Sequence, residues 1–198
     1  MDAITQVLFW ISNSLLIPNI IALIVLFVYS LLLIGNFYNS FMSKRRVDAL
    51  LNGERDIVLA DLRAKREQLH ADSPSLFVRY LVRILDYERP TEEYLQYQLS
   101  QYESDAEKEV NVPRILIKVG PVLGLIGTLI SMSPALVGLS SGDIESMAYN
   151  MQIVFATTVV GLVICLVGLV TQQYKQRWFA LDLARLEYIS AQLLDEQA

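Results

Sequence analysis

Cysteine and histidine are nearly missing from this chain, which has one of each among 198 residues, Cys165 and His70. A single cysteine cannot close an internal disulfide, and neither residue has a neighbour at metal-ligand spacing, so no metal and no cofactor are expected. His70 stands among Lys65, Arg66, Glu67 and Gln68 and reads as a solvent-facing helix residue. Nucleophilic catalysis needs a base beside the nucleophile. No such pair is evident, no catalytic residue is assigned, and the chain is not expected to be an enzyme. A basic patch is lacking too. Lys and Arg number 16 against 21 Asp and Glu, for a net charge of -5, and the bases are interleaved with acids. That pattern describes a solvated surface and excludes nucleic acid as a partner.

Acidic residues are absent from three long apolar stretches, residues 17–41, 114–139 and 148–172. A membrane span needs about 20 apolar residues, because hydrocarbon about 30 Å thick is crossed at 1.5 Å per residue. The 54% of hydrophobic residues is concentrated in these stretches. The expected fold class is therefore all-α, a polytopic membrane protein with three transmembrane helices and a cytoplasmic helical domain.

Lys and Arg are also absent from residues 1–16 and 140–147, whereas Lys44, Arg45, Arg46, Arg114, Lys118, Lys175 and Arg177 flank the other ends of the spans. Positive charge marks the inner side, which predicts an N-out, C-in layout. Residues 1–16 form an outer amphipathic helix, with Ile4, Leu8, Ile11 and Leu15 on one face and Trp10 as an interfacial anchor on lipid. Pro18-Asn19 then turns the chain into span one. Residues 42–113 are the cytoplasmic loop domain, 140–147 a short outer loop and 173–198 a cytoplasmic tail helix. Within the loop domain, Asn52-Gly53 breaks one helix, 54–70 forms a charged one, and Ser73-Pro74 caps the helix SLFVRYLVRILDYE. Pro90-Thr91 ends that helix and starts another, which closes near Pro113. No glycine or proline follows Gly168, so span three is expected to run on as one helix to about Leu194. Its stripe of Phe179, Leu183, Leu186 and Leu193 packs on the loop helices or lines a vestibule in an oligomer.

Gly120, Gly124, Gly127 and Ser131 give span two a face almost free of bulk, and Thr157, Gly161, Cys165 and Gly168 do the same for span three. In lipid, close backbone approach at small residues drives helix association, so these faces should pack tightly, within the chain or against a copy. Span one, bulky and apolar, is the lipid-facing helix. Thr128 and the pair Thr157-Thr158 are the polar groups at membrane depth. A threonine hydroxyl can simply bond the carbonyl one turn back, but Thr128 and Thr157-Thr158 fall at matching depth on antiparallel helices and would form one polar belt. The belt is neutral. Proton passage through hydrocarbon normally uses a carboxylate, so either no proton moves here or another chain supplies the acid.

GPVLGLIGTLISM (120–132) resembles the second-helix signature of the MotA/TolQ/ExbB proton-channel family, and FATTVVGL (155–162) resembles its third-helix segment. The two occur in the family's order within a three-span topology like that of the TolQ/ExbB branch. The resemblance implies a ring-forming subunit of an ion-driven motor in a prokaryotic plasma membrane (the inner one where there are two). It implies a homo-oligomer, typically a pentamer, around a single-span ExbD/TolR/MotB-like partner whose membrane aspartate carries a proton or sodium ion. Thr128 and Thr158 take the pore-lining positions, with Thr157 the alternative one residue away, and Pro121, Gly124 and Gly127 take turn and packing positions. Two departures stand out. Gln152 or Ile153 replaces a common glutamate, and Pro134 is expected to kink span two or mark its outer end. The alternative function is a non-conducting oligomeric scaffold that recruits cytoplasmic partners.

Overall fold

A computed structural model describes residues 2–51, 75–87 and 89–196. The expected features at Asn52-Gly53, 54–70 and Ser73-Pro74 lie outside these residues. The described residues form five helices and no strand: α1 (Asp2–Ser14), α2 (Leu16–Leu51), α3 (Leu76–Leu85), α4 (Glu92–Ser141) and α5 (Ile144–Asp195). Three of the helical stretches are long and apolar enough to cross a membrane, Gln6–Arg45, Glu92–Ser141 and Ile144–Asp195.

The helix ends depart from expectation chiefly at proline. The break between α1 and α2 falls at Leu15, and Pro18 lies inside the first turn of α2 instead of turning the chain. The Leu15 N–H still donates to the Ile11 carbonyl at 3.2 Å, and the Asn19 N–H to the Leu15 carbonyl at 3.0 Å. What Pro18 removes is the single bond its missing N–H would have made to Ser14. In the same way α4 does not close near Pro113. It runs on through Pro113, Pro121 and Pro134 to Ser141, so Pro134 does not mark its end. Proline inside a membrane helix is tolerated because the freed carbonyls can be satisfied by neighbours. The segment expected as an outer loop at 140–147 is mostly helical, with only Gly142 and Asp143 between α4 and α5.

That connection is fully bonded. Gly142 takes the left-handed conformation, φ 75°. Its N–H reaches the Leu139 carbonyl at 3.2 Å, and the Asp143 N–H reaches the Gly138 carbonyl at 2.9 Å, the two bonds of a glycine-terminated helix. Asp143 then accepts the Ser146 N–H at 3.0 Å and so caps α5.

The chain divides into two compact units. The first, Met1–Ile34 with Val112–Thr171, is built from the membrane-length apolar parts of α2, α4 and α5. Its core holds Leu23, Leu116 and Ile164, flanked by Leu26, Phe27, Leu123 and Val160. Span one is thus not wholly lipid-facing: Asn19, Leu23 and Ser30 on α2 are buried.

The second unit, Gly35–Asn111 with Gln172–Ala198, packs α3 against α4 and α5. α3 begins at Leu76 with Ser75 at its cap, and it ends at Leu85, with Asp86 and Tyr87 outside the helix although the expected stretch includes them. It is buried on more than one side, since Leu76, Phe77, Val78, Tyr80, Leu81, Val82 and Ile84 are all enclosed. Thr91 starts α4, its hydroxyl accepting the Tyr94 N–H at 3.3 Å. Leu186, Ile189 and Leu193 on α5 join the same core, with Phe179 and Leu183 at its edge. Phe37, Tyr174 and Trp178 cluster together, with Phe37 and Trp178 stacked nearly parallel at 5.3 Å and Tyr174 tilted against both.

Candidate functional site

Glycine decides how close α4 and α5 come. A Cβ on Gly120 would lie 2.7 Å from the Gly161 carbonyl oxygen, one on Gly161 would lie 2.6 Å from the Gly120 carbonyl oxygen, and one on Gly168 would lie 2.9 Å from that of Pro113. Gly124 would meet the Thr157 carbonyl at 3.1 Å. At Gly120, Gly161 and Gly168 no larger residue fits without moving backbone, and with Gly124 and Gly127 they form one seam within the chain. Gly138 extends the seam, facing Asp143 and Met147 at 3.1 Å. Sequence reading missed it, although its spacing of seven from Ser131 was a usable signal. Cys165, placed on the packing face by spacing, is a half-buried free thiol, and the adjacent Ile164 fills that position, fully enclosed. Pro121 is half-buried beside the seam.

The three threonines separate. Thr157 is 6% exposed and wedged against Gly127, whose Cβ position lies 2.8 Å from both its Cβ and its Oγ1. Thr128 and Thr158 are half-buried. The contact at Gly127 brings residues 127 and 157 to one level, so the matching depth of the belt holds inside a single chain. Every hydroxyl here donates to its own helix: Thr128 to Leu125 at 2.7 Å, Thr157 to Ile153 and Val154 at 3.0 and 3.1 Å, and Thr158 to Val154 at 2.9 Å. An intrahelical donor leaves the oxygen's lone pairs free to accept, so each threonine can receive a hydrogen bond from outside its helix.

Two polar residues at this depth escaped sequence reading. Asn19, read as a turn residue, is 6% exposed, and its Nδ2 donates across to the Leu123 carbonyl at 3.1 Å. Ser131, read only as small, is fully enclosed and its Oγ has no partner. Pro-Asn is an ordinary turn signal, which hid Asn19.

The second unit carries buried charge. Lys44 and Asp182 form an ion pair with their side chains almost wholly enclosed, and Arg185 reaches both Asp182 at 3.7 Å and Asp48 at 2.6 Å. Lys175 bonds Glu109 at 2.9 Å. Lys44, Asp182, Lys175 and Glu109, with Ser40 and Trp178, line a cavity of about 50 Å³, room for one or two waters. Burial pushes the Asp182 carboxyl above the ordinary carboxylate range, outweighing the opposing pull of Lys44 and Arg185, and Asp48 adds to the rise. Burial also raises the Tyr102 hydroxyl, helped by Asp182 and Glu109. None of these residues was singled out as a pair, because ion pairs between distant segments leave no mark on sequence spacing.

An all-helical, multi-pass membrane protein with a glycine seam and an acid-free polar belt is the class this geometry defines. The family described as the MotA/TolQ/ExbB proton channel family matches residues 74–187, more than half of the chain, and the protein belongs to it. No curated protein and no solved structure gives a match. Membership makes this a subunit of the proton-channel, motor type, from a family that works with a partner subunit in a membrane complex.

Proposed function

We propose that this chain is the ring-forming channel subunit of a motor that couples proton or sodium flow to mechanical work on a partner subunit. The observation that carries the reading is the pair of half-buried hydroxyls, Thr128 and Thr158, beside a rigid seam, in apolar segments that contain no acid. A carboxylate at the bilayer centre costs about 2.5–3.5 kcal/mol on insertion scales. A single-span ExbD/TolR/MotB-like partner supplies that carboxylate as a membrane aspartate, and threonine oxygens facing it offset part of the cost and pass the ion on. Each charge that crosses gains about 2.3 kcal/mol per 100 mV, enough to bias one rearrangement of ring against axle. The assembly is a homo-oligomer, a pentamer in the TolQ/ExbB manner, seated N-out and C-in in a prokaryotic plasma membrane. It is a transport protein, not an enzyme. The charge asymmetry of the termini and loops supports that orientation, and the clustered Phe37, Tyr174 and Trp178 have a composition typical of a membrane–water boundary.

Replacing Thr158 by Val keeps volume and deletes the hydroxyl. Reconstituted with its partner, the variant should assemble normally and lose ion-driven activity. Full ion-driven activity in that variant and in Thr128→Val would overturn the role of these hydroxyls, and no ion flow through the unaltered complex would leave the scaffold reading instead.

A further inference from the structure

We propose that Asn19 is a positioning residue for the threonine belt, acting through Gly127 and Thr157. The inference rests on the reading that Thr128 and Thr158 face the ion path.

Three helices meet at one point. The Asn19 amide of α2 donates to the Leu123 carbonyl of α4 at 3.1 Å, the carbonyl toward which the Gly127 N–H of the same helix points. A side chain at 127 would sit 3.0 Å from Asn19 Nδ2 and 2.8 Å from Thr157 Oγ1 on α5. The missing side chain of Gly127 thus lets an amide from one helix and a hydroxyl from another close on the same spot. The hydroxyls of Ser30, Thr128, Thr157 and Thr158 all return to their own helices, whereas the Asn19 bond crosses between helices and so fixes rotation.

Thr128 and Thr158 each follow a member of this junction by one residue. Successive residues on a helix are separated by a fixed rotation of about 100°. Holding the azimuth of 127 and 157 therefore holds that of 128 and 158. Stability alone does not account for Asn19. Its Oδ1 is enclosed without a partner, and a buried orphan acceptor is destabilising. An apolar side chain of equal size would pack there without that penalty, so what the amide adds is the interhelical bond its donor makes.

The test uses the full chain with its partner in native membranes, in a Cys165→Ala background. Thr128→Cys, Thr158→Cys and, on the exposed face of α5, Leu166→Cys are each treated with a charged, water-soluble methanethiosulfonate, with and without Asn19→Leu. With Asn19 present, the first two thiols should react. Asn19→Leu should change their rates by about threefold or more, the factor that an average interhelical side-chain bond in a membrane supports, and leave Leu166→Cys unmoved. Unchanged rates at both positions overturn the positioning role while the pore reading stands. Thiols that the reagent never reaches even with Asn19 in place overturn the pore reading and this inference with it. If Asn19→Leu fails to accumulate, Gly127→Ala carries the same test. It should shift both rates, and Gly127→Ala with Thr157→Gly, which removes both Thr157 atoms that the added methyl would meet at 2.8 Å, should return them; failure of the pair to do so also overturns the inference.

Discussion

Adjacent threonines on α5 meet different surroundings. Thr157 is enclosed against Gly127, while Thr158 is half-buried and turned away from that contact. Spacing could not choose between them, because the signal in sequence was depth, and one residue changes depth by only about 1.5 Å while rotating the side chain by a large angle. Only the packing partner decides. The consequence is a split prediction. Thr158→Val should lower ion-driven activity about tenfold or more, the effect of losing about 1.4 kcal/mol of stabilisation along the path. Thr157→Val, whose shape still fits Gly127, should leave most activity in place, with proton uptake into vesicles as the measure. The seam glycines were legible in sequence because a repeat of small residues every three or four positions makes a helical face. At Gly161 the added methyl would meet backbone at 2.6 Å, so Gly161→Ala should cost about 1–3 kcal/mol by overpacking. Gly35→Ala, with open space around it, should cost nothing measurable. Thermal unfolding in mild detergent would show the difference.

At the scale of elements, the three prolines of α4 are instructive. Each reads as a boundary in a soluble chain, and none of them ends the helix. Long apolar runs predicted three membrane-length helices, and three are present, but proline rules calibrated on water-exposed helices misplaced helix ends. α3 shows the reverse, a short helix enclosed on more than one side. Phe77, fully enclosed in its first turn, should cost about 3–5 kcal/mol when truncated to Ala, read as loss of folded protein on denaturation. The Lys44–Asp182 pair ties α2 to α5. Asp182→Leu leaves a buried ammonium without its acceptor and should destabilise by about 3–5 kcal/mol, whereas Lys44→Met with Asp182→Leu should recover most of that. The pH dependence follows from the direction of the Asp182 shift. A carboxyl whose native pKa lies above its unfolded value holds its proton more tightly when folded. Its contribution is therefore greatest below the ordinary carboxylate range and is lost as pH rises through the native pKa. Asp182→Asn should flatten that part of the stability curve, measured by unfolding across a pH series.

For the whole molecule, family, membrane class and helical architecture were all readable from composition, three apolar stretches and two ordered motifs. The contacts that join distant segments were not: Asn19 with Leu123, Lys44 with Asp182 and Arg185 with Asp48 have partners more than 100 positions away. Such pairs become visible only when the chain is folded. The proposed assembly gives a measurable expectation. Copurified with its partner, the protein should run as a ring of several identical chains by native mass spectrometry, and a stable monomer would exclude the motor. Its N-terminus should be reachable by an impermeant label from outside, and its C-terminus only after permeabilisation.

The two-residue hairpin at Gly142-Asp143 has a consequence for biogenesis. With no slack at that end and glycine contacts running from residue 138 to 168, the second and third crossings have little room to enter the translocon exit independently. They are expected to partition into the bilayer together as one preformed pin. An insertion that lengthens the tip would uncouple their delivery before it disturbed any residue on the ion path.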